Sequence, residues 1–115
     1  MRLTFVETET FTRRIVALGL EDALRRLQLE LLANPEAGDV DPGTGGLRKV
    51  RIADSRHGKG TRGGGRVHYL WLTHRRLLYM LYVYAKAEVT TLTPEQKHDL
   101  RAVVASIKLA HGARE

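Results

Sequence analysis

The sequence contains no cysteine, which excludes disulfides and metal sites built on thiolates. Its longest apolar run, Leu77 to Ala85, is far shorter than the ~20 residues that a helix needs to cross a bilayer. The first residues, MRLTFVETETF, lack the basic segment and apolar run of a secretion signal. The acids and histidines show no ligand spacing, so we expect no metal and no other cofactor. These absences favour a cytoplasmic protein.

What the chain does contain is a local excess of positive charge. Nineteen Lys and Arg against thirteen Asp and Glu give a formal charge of +6. The segment from Gly43 to Tyr69, GTGGLRKVRIADSRHGKGTRGGGRVHY, holds seven of these cations and one acid, Asp54. Such a concentration favours a polyanionic partner, and nucleic acid is the leading candidate. With 43% hydrophobic and 28% charged residues, residues 1–115 are predicted to form one soluble domain.

Local patterns predict an α+β domain with the element order β-α-α-β-β-β-α. The segment Glu21 to Ala33 repeats leucine at helical spacing, and Asn34-Pro35 ends it. Thr93 to Gln96 reads as a capping box that begins the last helix. Two N-terminal helices should form a hairpin on one face of a mostly antiparallel sheet. The predicted elements are strand Arg2–Val6, helix Thr10–Leu18 with Thr10 as a possible N-cap, helix Glu21–Ala33, strands Leu47–Ile52, Arg66–Leu72 and Arg75–Lys86, and helix Pro94–Ala110.

The strand Leu47 to Ile52 carries cations and apolar residues in alternation. Period-two alternation places Lys49 and Arg51 on one face and Val50 and Ile52 on the other. The apolar pair should face the helices, so the two cations should point to the open side. Arg48 shares the apolar parity, which leaves both a structural and a functional role open for it.

Two glycine-rich segments flank this strand. Gly43 to Gly46 is not a Walker-type phosphate loop, because Lys-Ser/Thr is missing and a strand follows. The second segment, Ala53 to Gly65, is longer than the two to five residues of most hairpin loops. It carries Arg56, Lys59 and Arg62, and either a solvated loop or a flexible phosphate clamp would fit it.

Several motifs occur together in an order that is typical of a known family. They are Phe5 and Thr10-Phe11, Asn34-Pro35 with Gly38, GTGGLRKVR (43–51), GKGTRGGGRVHY (58–69) and YAKAEVTTLTPEQK (84–97). Together they resemble the HigB branch of the RelE/ParE superfamily, the toxins of bacterial type II toxin–antitoxin pairs. The resemblance spans nearly the whole chain.

The resemblance implies a small RelE-like fold and a ribosome-dependent mRNA interferase that cleaves mRNA in the A site. It implies a helix-turn-helix antitoxin of the HigA type as partner, and operator DNA as a target only through the antitoxin complex. The family's basic residues map onto Lys49, Arg51, Arg66 and Lys86, and the loop lysine of this branch onto Lys59. The chain departs from the best-studied RelE pattern, since no arginine follows Lys86 directly and no tyrosine occurs after position 84.

The residues themselves could support metal-independent RNA cleavage by the adjacent 2′-OH. Arg51 and Arg66 suit the phosphate, because a guanidinium matches two phosphate oxygens and stays protonated. Lys49 is the favoured base, since surrounding arginines disfavour its charged form, and Lys86 or Lys59 could serve the leaving group.

His68 is the rival acid or base, because imidazole titrates near neutral pH. The competing interpretation is a strand histidine half covered by its neighbours. The complete set of predicted site residues is Lys49, Arg51, Lys59, Arg66 and Lys86 for catalysis, and Arg48, Arg56, Arg62, His68 and Tyr84 for RNA binding.

Two other functions remain open from the sequence. A ParE-like gyrase inhibitor would share the fold but lacks a basic catalytic cluster. A non-catalytic nucleic-acid-binding module would need only the basic loop, although such modules often expose stacking aromatics, which here lie mostly on apolar strands.

Overall fold

The computed structural model describes residues 2–54, 64–86 and 91–112, which form three α-helices and one five-stranded sheet. The predicted α+β class is confirmed, and a short strand not expected from the sequence, β2, is added. The elements are β1 (Thr4–Glu7), α1 (Glu9–Leu18), α2 (Glu21–Ala33), β2 (Asp39–Val40), β3 (Arg48–Asp54), β4 (Gly64–Leu72), a 3-10 turn (Thr73–Arg75), β5 (Leu77–Ala85) and α3 (Pro94–Ala110).

The sheet has the strand order β1-β5-β4-β3-β2. β1 runs parallel to β5, with Thr4 opposite Leu77, and the other three neighbouring pairs are antiparallel. The prediction of a mostly antiparallel sheet is therefore confirmed. β5 lies between two strands, as its apolar sequence predicts, but it begins later than expected because Arg75 belongs to the 3-10 turn.

One face of the sheet packs against α1 and α2. Val50 and Ile52 contribute to this core, as the alternation in β3 predicts. The deeply buried members are Phe11, Ile15, Leu24, Leu27, Leu31, Ile52, Val67, Tyr69, Leu78, Met80 and Val83. Burying this many large apolar side chains supplies the main driving force for the fold.

Local capping explains where the helices begin. The predicted cap at Thr10 is wrong, because the side chain of Thr8 accepts a hydrogen bond from the backbone N–H of Phe11 and α1 begins at Glu9. Thr8 also donates to the carbonyl of Leu81, which ties it to the sheet. The capping box at Thr93 is confirmed, with reciprocal bonds to Gln96.

The other face of the sheet is covered in part by α3. A second, smaller apolar cluster holds this helix on the sheet through Leu47, Leu70, Leu72, Leu81 and Val104. Toward the ends of β3, β4 and β5 the same face becomes polar and basic. This boundary positions the candidate site.

A β-bulge on this boundary contradicts the simple alternation of β5. That alternation predicts one face for Leu78, Met80, Tyr82 and Tyr84, because the four share one parity. The ladder instead shifts register, so that Tyr69 pairs with Met80 while His68 pairs with Tyr82. Met80 therefore packs toward the helical hairpin, while Tyr84 lies on the opposite side beside His68.

Candidate nucleic-acid interface

Three cations lie on neighbouring strands of the face that α3 leaves open. We call Lys49, Arg51 and Arg66 the basic row. Arg51 lies opposite Arg66 across β3 and β4, and Lys49 lies opposite His68 two residues away. Arg66 in turn pairs with Tyr84 on β5. The structure therefore brings together three of the residues predicted from sequence, on the face that the alternation indicated.

The basic row lacks a compensating acid within the described part of the chain. No carboxylate there forms an ion pair with Lys49, Arg51 or Arg66. Arg66 donates from Nη1 to the carbonyl oxygen of Gly65 at 2.9 Å. Directly opposed like charges destabilise a sheet by roughly 0.2–1 kcal/mol. Two uncompensated guanidinium groups on adjacent strands form a site for an anion, and phosphate has the matching geometry.

Lys86 follows β5 directly and its side chain is exposed. Its backbone N–H donates to the carbonyl of Gly64 at 3.1 Å, which places it at the end of the β4–β5 ladder. Close approach of the two strands here requires glycine, since a Cβ at Gly65 would lie 2.5 Å from the carbonyl oxygen of Tyr84. Lys86 therefore stands beyond Tyr84, next to the row, rather than within it.

Beside the basic row lies a buried cluster, which we define as Asp41, His68 and Tyr84. Nε2 of His68 lies 2.8 Å from Oδ2 of Asp41. Nζ of Lys97, in the first turn of α3, donates to Oδ1 of Asp41 at 3.3 Å and to the carbonyl of Pro42 at 2.9 Å. The rings of His68 and Tyr84 are 5.9 Å apart. The cluster thus connects β4, β5 and α3 with the loop before β3.

Burial and hydrogen bonding set the charges of this cluster. Desolvation lowers the pKa of His68 below its ordinary value, although the hydrogen bond with Asp41 acts in the opposite direction. Burial would raise the pKa of Asp41, but its hydrogen bonds with His68 and Lys97 outweigh that effect, and the pKa falls below its ordinary value. Neutral His68 then donates its Nε2 proton to ionised Asp41, which leaves Nδ1 as an acceptor.

Two polar atoms of the cluster are buried without a hydrogen-bond partner among the described residues, Nδ1 of His68 and the hydroxyl of Tyr84. Burial also raises the pKa of Tyr84, so its phenol stays protonated. The two side chains are only 0% and 1% exposed. Neither ring is at the surface, so the prediction that His68 and Tyr84 contact RNA gains no support from their positions. Because His68 lies opposite Lys49 and Tyr84 opposite Arg66, the two buried side chains are suited to hold the strands that carry the basic row.

Arg48 has structural partners. It donates from Nη1 to the carbonyl oxygens of Gly38 and Glu36, at 2.7 and 3.3 Å, and its Nη2 lies 3.7 Å from the carboxylate of Glu36. These contacts fix the loop after α2 against β3. The structural role left open for Arg48 accounts for its position, and its predicted RNA contact gains no support.

The glycine-rich segment before β3 is held by α3. Gly43, Gly45 and Gly46 have positive φ angles, which lets the segment turn tightly. Arg101 donates to the carbonyl of Gly43 at 2.9 Å, and Lys108 donates to that of Gly45 at 3.1 Å. These glycines therefore form a structural turn, and its carbonyls accept hydrogen bonds from cationic side chains of α3. This role agrees with the sequence argument against a Walker-type phosphate loop.

Sequence reasoning missed Asp41 and Lys97, since 27 residues separate Asp41 from His68 and 56 separate it from Lys97. The available signal was Asp41 itself, an acid placed directly before Pro42 in a turn. Three predicted site residues, Lys59, Arg56 and Arg62, lie outside the described residues, as does most of the long loop between β3 and β4.

No protein-family model matches the chain. Within the described residues, no group of three or more His, Cys, Asp or Glu is placed to hold a metal ion. In the same part of the chain, the helices are too short or too polar to cross a membrane.

Proposed function

We propose that this chain is a toxin of the HigB branch of the RelE/ParE superfamily, with a RelE-like fold. It acts as a ribosome-dependent mRNA interferase that cleaves mRNA in the A site and so inhibits translation in the cytoplasm. A HigA-type antitoxin neutralises it and carries it to operator DNA. The motif order along the sequence supports the family, and the basic row supports the chemistry.

The observation that carries the proposal is the opposed pair of Arg51 and Arg66 on the open face. No carboxylate of the described residues forms an ion pair with either guanidinium group. In the proposed reaction the 2′-oxygen attacks the adjacent phosphorus and the bond to the 5′-oxygen breaks. Arg51 and Arg66 hold the non-bridging oxygens as their negative charge grows. A preorganised donor of this kind contributes about 3–4 kcal/mol in comparable sites.

Lysines flank this phosphate position on two sides. In the proposal Lys49, two residues before Arg51 on β3, accepts the proton of the 2′-OH, and Lys86, which follows β5, supplies one to the 5′-oxygen. The buried cluster contributes indirectly, because the Asp41–His68 bond fixes the strand positions beside Lys49 and Arg66. The ribosome would supply the orientation of the 2′-OH, an effect that can reach roughly 7–11 kcal/mol.

Primer-extension mapping of a defined mRNA on purified ribosomes tests this function. We expect new 5′ ends of the downstream fragment at A-site codons with the wild-type protein, and cleavage about 10²- to 10³-fold slower with Arg66→Ala. Arg13→Ala is the matched control, since it removes an exposed arginine of α1 that pairs with Glu9. Absence of cleavage, or cleavage of free RNA alone, would contradict the ribosome-dependent mechanism.

A second candidate function is a nucleic-acid-binding module without catalysis. The observation that favours it is the burial of His68 and Tyr84, because neither the imidazole nor the phenol that the sequence put forward for the site is exposed beside the basic row. Such a module would bind ribosomes or RNA, lose affinity with each basic-row substitution, and produce no new RNA ends. Lys49→Ala separates the two functions, since a catalyst should lose cleavage while ribosome binding persists.

A further inference from the structure

We propose a second RNA-contacting surface, formed by Arg2, Arg75 and Arg76 where β1 begins and the 3-10 turn ends. We call these three residues the turn patch. This inference rests on the proposed function, because it assigns the patch to the phosphate backbone of ribosomal RNA. The patch would hold the protein on the ribosome while the basic row acts on mRNA.

The three arginines of the turn patch line one concave surface. This surface is a shallow, open depression of about 710 Å³, and Leu3, Thr4 and Leu32 complete its lining. All three arginine side chains are exposed, and no carboxylate of the described residues forms an ion pair with them. A surface that carries three guanidinium groups without an ion-pair partner among the described residues has the charge to bind a nucleic-acid backbone.

The backbone at Arg76 is unfavourable for an arginine. With φ 54° and ψ 41° it is the one non-glycine residue with positive φ among the described residues. It caps the 3-10 turn by donating its N–H to the carbonyl of Thr73, a position where glycine is preferred. Its Nε donates to the backbone carbonyl of Arg2 at 2.7 Å, which holds the Arg76 side chain against the segment that precedes β1. A strained arginine in an exposed cluster points to a binding role.

The turn patch and the basic row are separate sites. Arg76 precedes β5 and Tyr84 lies at its far end, so the length of the strand separates the two sites by roughly 25 Å. Both sites cannot contact the same nucleotide at that separation. The turn patch should therefore affect how tightly the protein binds the ribosome, and leave the rate of cleavage in the bound state unchanged.

The test uses the double variant Arg75→Ala/Arg76→Gly in the full chain. We expect the ribosome concentration for half-maximal cleavage to rise about tenfold or more, while the maximal rate stays within twofold. The slope of log affinity against log salt should fall by about 1.4–1.8, because two phosphate contacts are lost. The melting temperature should stay close to that of the wild type, because the relief of positive φ at position 76 offsets the loss of the exposed hydrogen bond to the carbonyl of Arg2.

The matched control is Arg13→Ala/Arg25→Ala, which also removes two positive charges but from arginines paired with Glu9 and Asp22. A turn-patch variant with the same ribosome affinity and salt slope as this control would overturn the inference and leave the proposed function intact. A wild-type protein that neither binds nor cleaves on ribosomes would overturn both. Loss of the maximal rate alone would also contradict a separate binding surface.

Discussion

The two faces of the sheet differ in what covers them and in what they hold. The hairpin face is closed by α1 and α2, and its core is apolar apart from the hydroxyl of Tyr69 within the described residues. The opposite face has α3 alone, which packs on Leu70 and Leu72 and leaves the strand ends to the basic row and the buried cluster. α3 leaves part of this face uncovered, and the cations of the basic row lie there.

The comparison also shows how a buried polar group is treated on each face. The Tyr69 hydroxyl accepts from the N–H of Gly38 at 3.0 Å and donates to the carbonyl of Pro35 at 2.7 Å. The Tyr84 hydroxyl on the opposite face has no partner among the described residues. Full satisfaction is typical of a structural core, whereas an unmet buried hydroxyl is more often associated with a functional site.

Removing a large side chain from the hairpin face should have the largest effect on stability. Phe11 is fully buried, so Phe11→Ala should lower the free energy of unfolding by about 3–5 kcal/mol through lost burial and a cavity. Val103→Ala on α3 should change it by less than about 0.5 kcal/mol, because this side chain is 41% exposed. Urea denaturation measures both, and equal losses would contradict the contrast between the faces.

Removing the hydroxyl of Tyr69 or of Tyr84 tests the difference between the two faces by a smaller change in the free energy of unfolding. Tyr69→Phe should cost about 1–3 kcal/mol, since it leaves the N–H of Gly38 and the carbonyl of Pro35 buried without a partner. Tyr84→Phe should cost nothing measurable or stabilise the fold, because the Tyr84 hydroxyl has no hydrogen-bond partner among the described residues. Thermal or urea unfolding of the two variants side by side tests this prediction. A larger loss for Tyr84→Phe would show that the two hydroxyls are satisfied in the opposite way.

The stability of the fold should also depend on pH through His68 on the open face. The lowered pKa of His68 means that the unfolded chain binds more protons than the fold as pH falls below the ordinary value of 6.5. Stability should therefore decrease with falling pH, with a slope of at most about 1.4 kcal/mol per pH unit for this one group. The groups that face it are Asp41 on the loop, Lys49 on β3, Lys97 on α3 and Tyr84 on β5.

His68→Phe should flatten this pH dependence between about pH 7 and 5. Asp41, whose pKa is also lowered, should act only at more acidic pH, because its stabilising charge is lost as pH falls below the ordinary 3.8. Melting temperatures of the wild type and the variant across this range provide the measurement. Parallel curves would assign the acid sensitivity to other groups.

The smallest expected change in the free energy of unfolding is an increase, whereas most of the substitutions above lower it or leave it unchanged. Arg51→Ala should raise stability by about 0.2–1 kcal/mol, because it relieves the opposed charge of Arg66. Under the proposed function the same substitution should weaken ribosome-dependent cleavage, since it removes one of the two guanidinium groups proposed to hold the phosphate. Unfolding and cleavage measured on one preparation would reveal this trade-off. A loss of both would indicate that Arg51 is a structural residue.

The parts of the fold that depend on local sequence were predictable. The leucine spacing of α2, the capping box of α3 and the alternation in β3 each predicted the observed element, and the alternation also placed Lys49 and Arg51 on the open face. These signals act between residues at most four positions apart, so the chain itself displays them.

The remainder depends on partners far apart in the chain. The bulge between β4 and β5 reverses the side on which Tyr84 lies, and the alternation of residues along β5 cannot predict a bulge. The cap of α1 falls on Thr8 because its hydroxyl also reaches the carbonyl of Leu81. The Asp41–His68 bond buries a histidine whose sequence position favoured a half-exposed strand residue. Tertiary contacts decided each case.

The parallel pairing of β1 with β5 has a consequence for the order of synthesis. The Thr8 hydroxyl and its acceptor, the carbonyl of Leu81, are 73 residues apart, and β1 pairs with Leu77 to Met80 over a similar separation. At translation rates of 5–20 residues per second, β1 waits roughly 4–15 s for its partner strand to be made. The hairpin of α1 and α2 carries its apolar face unprotected for that interval. A nascent chain of this design is therefore a natural client for a chaperone that binds early.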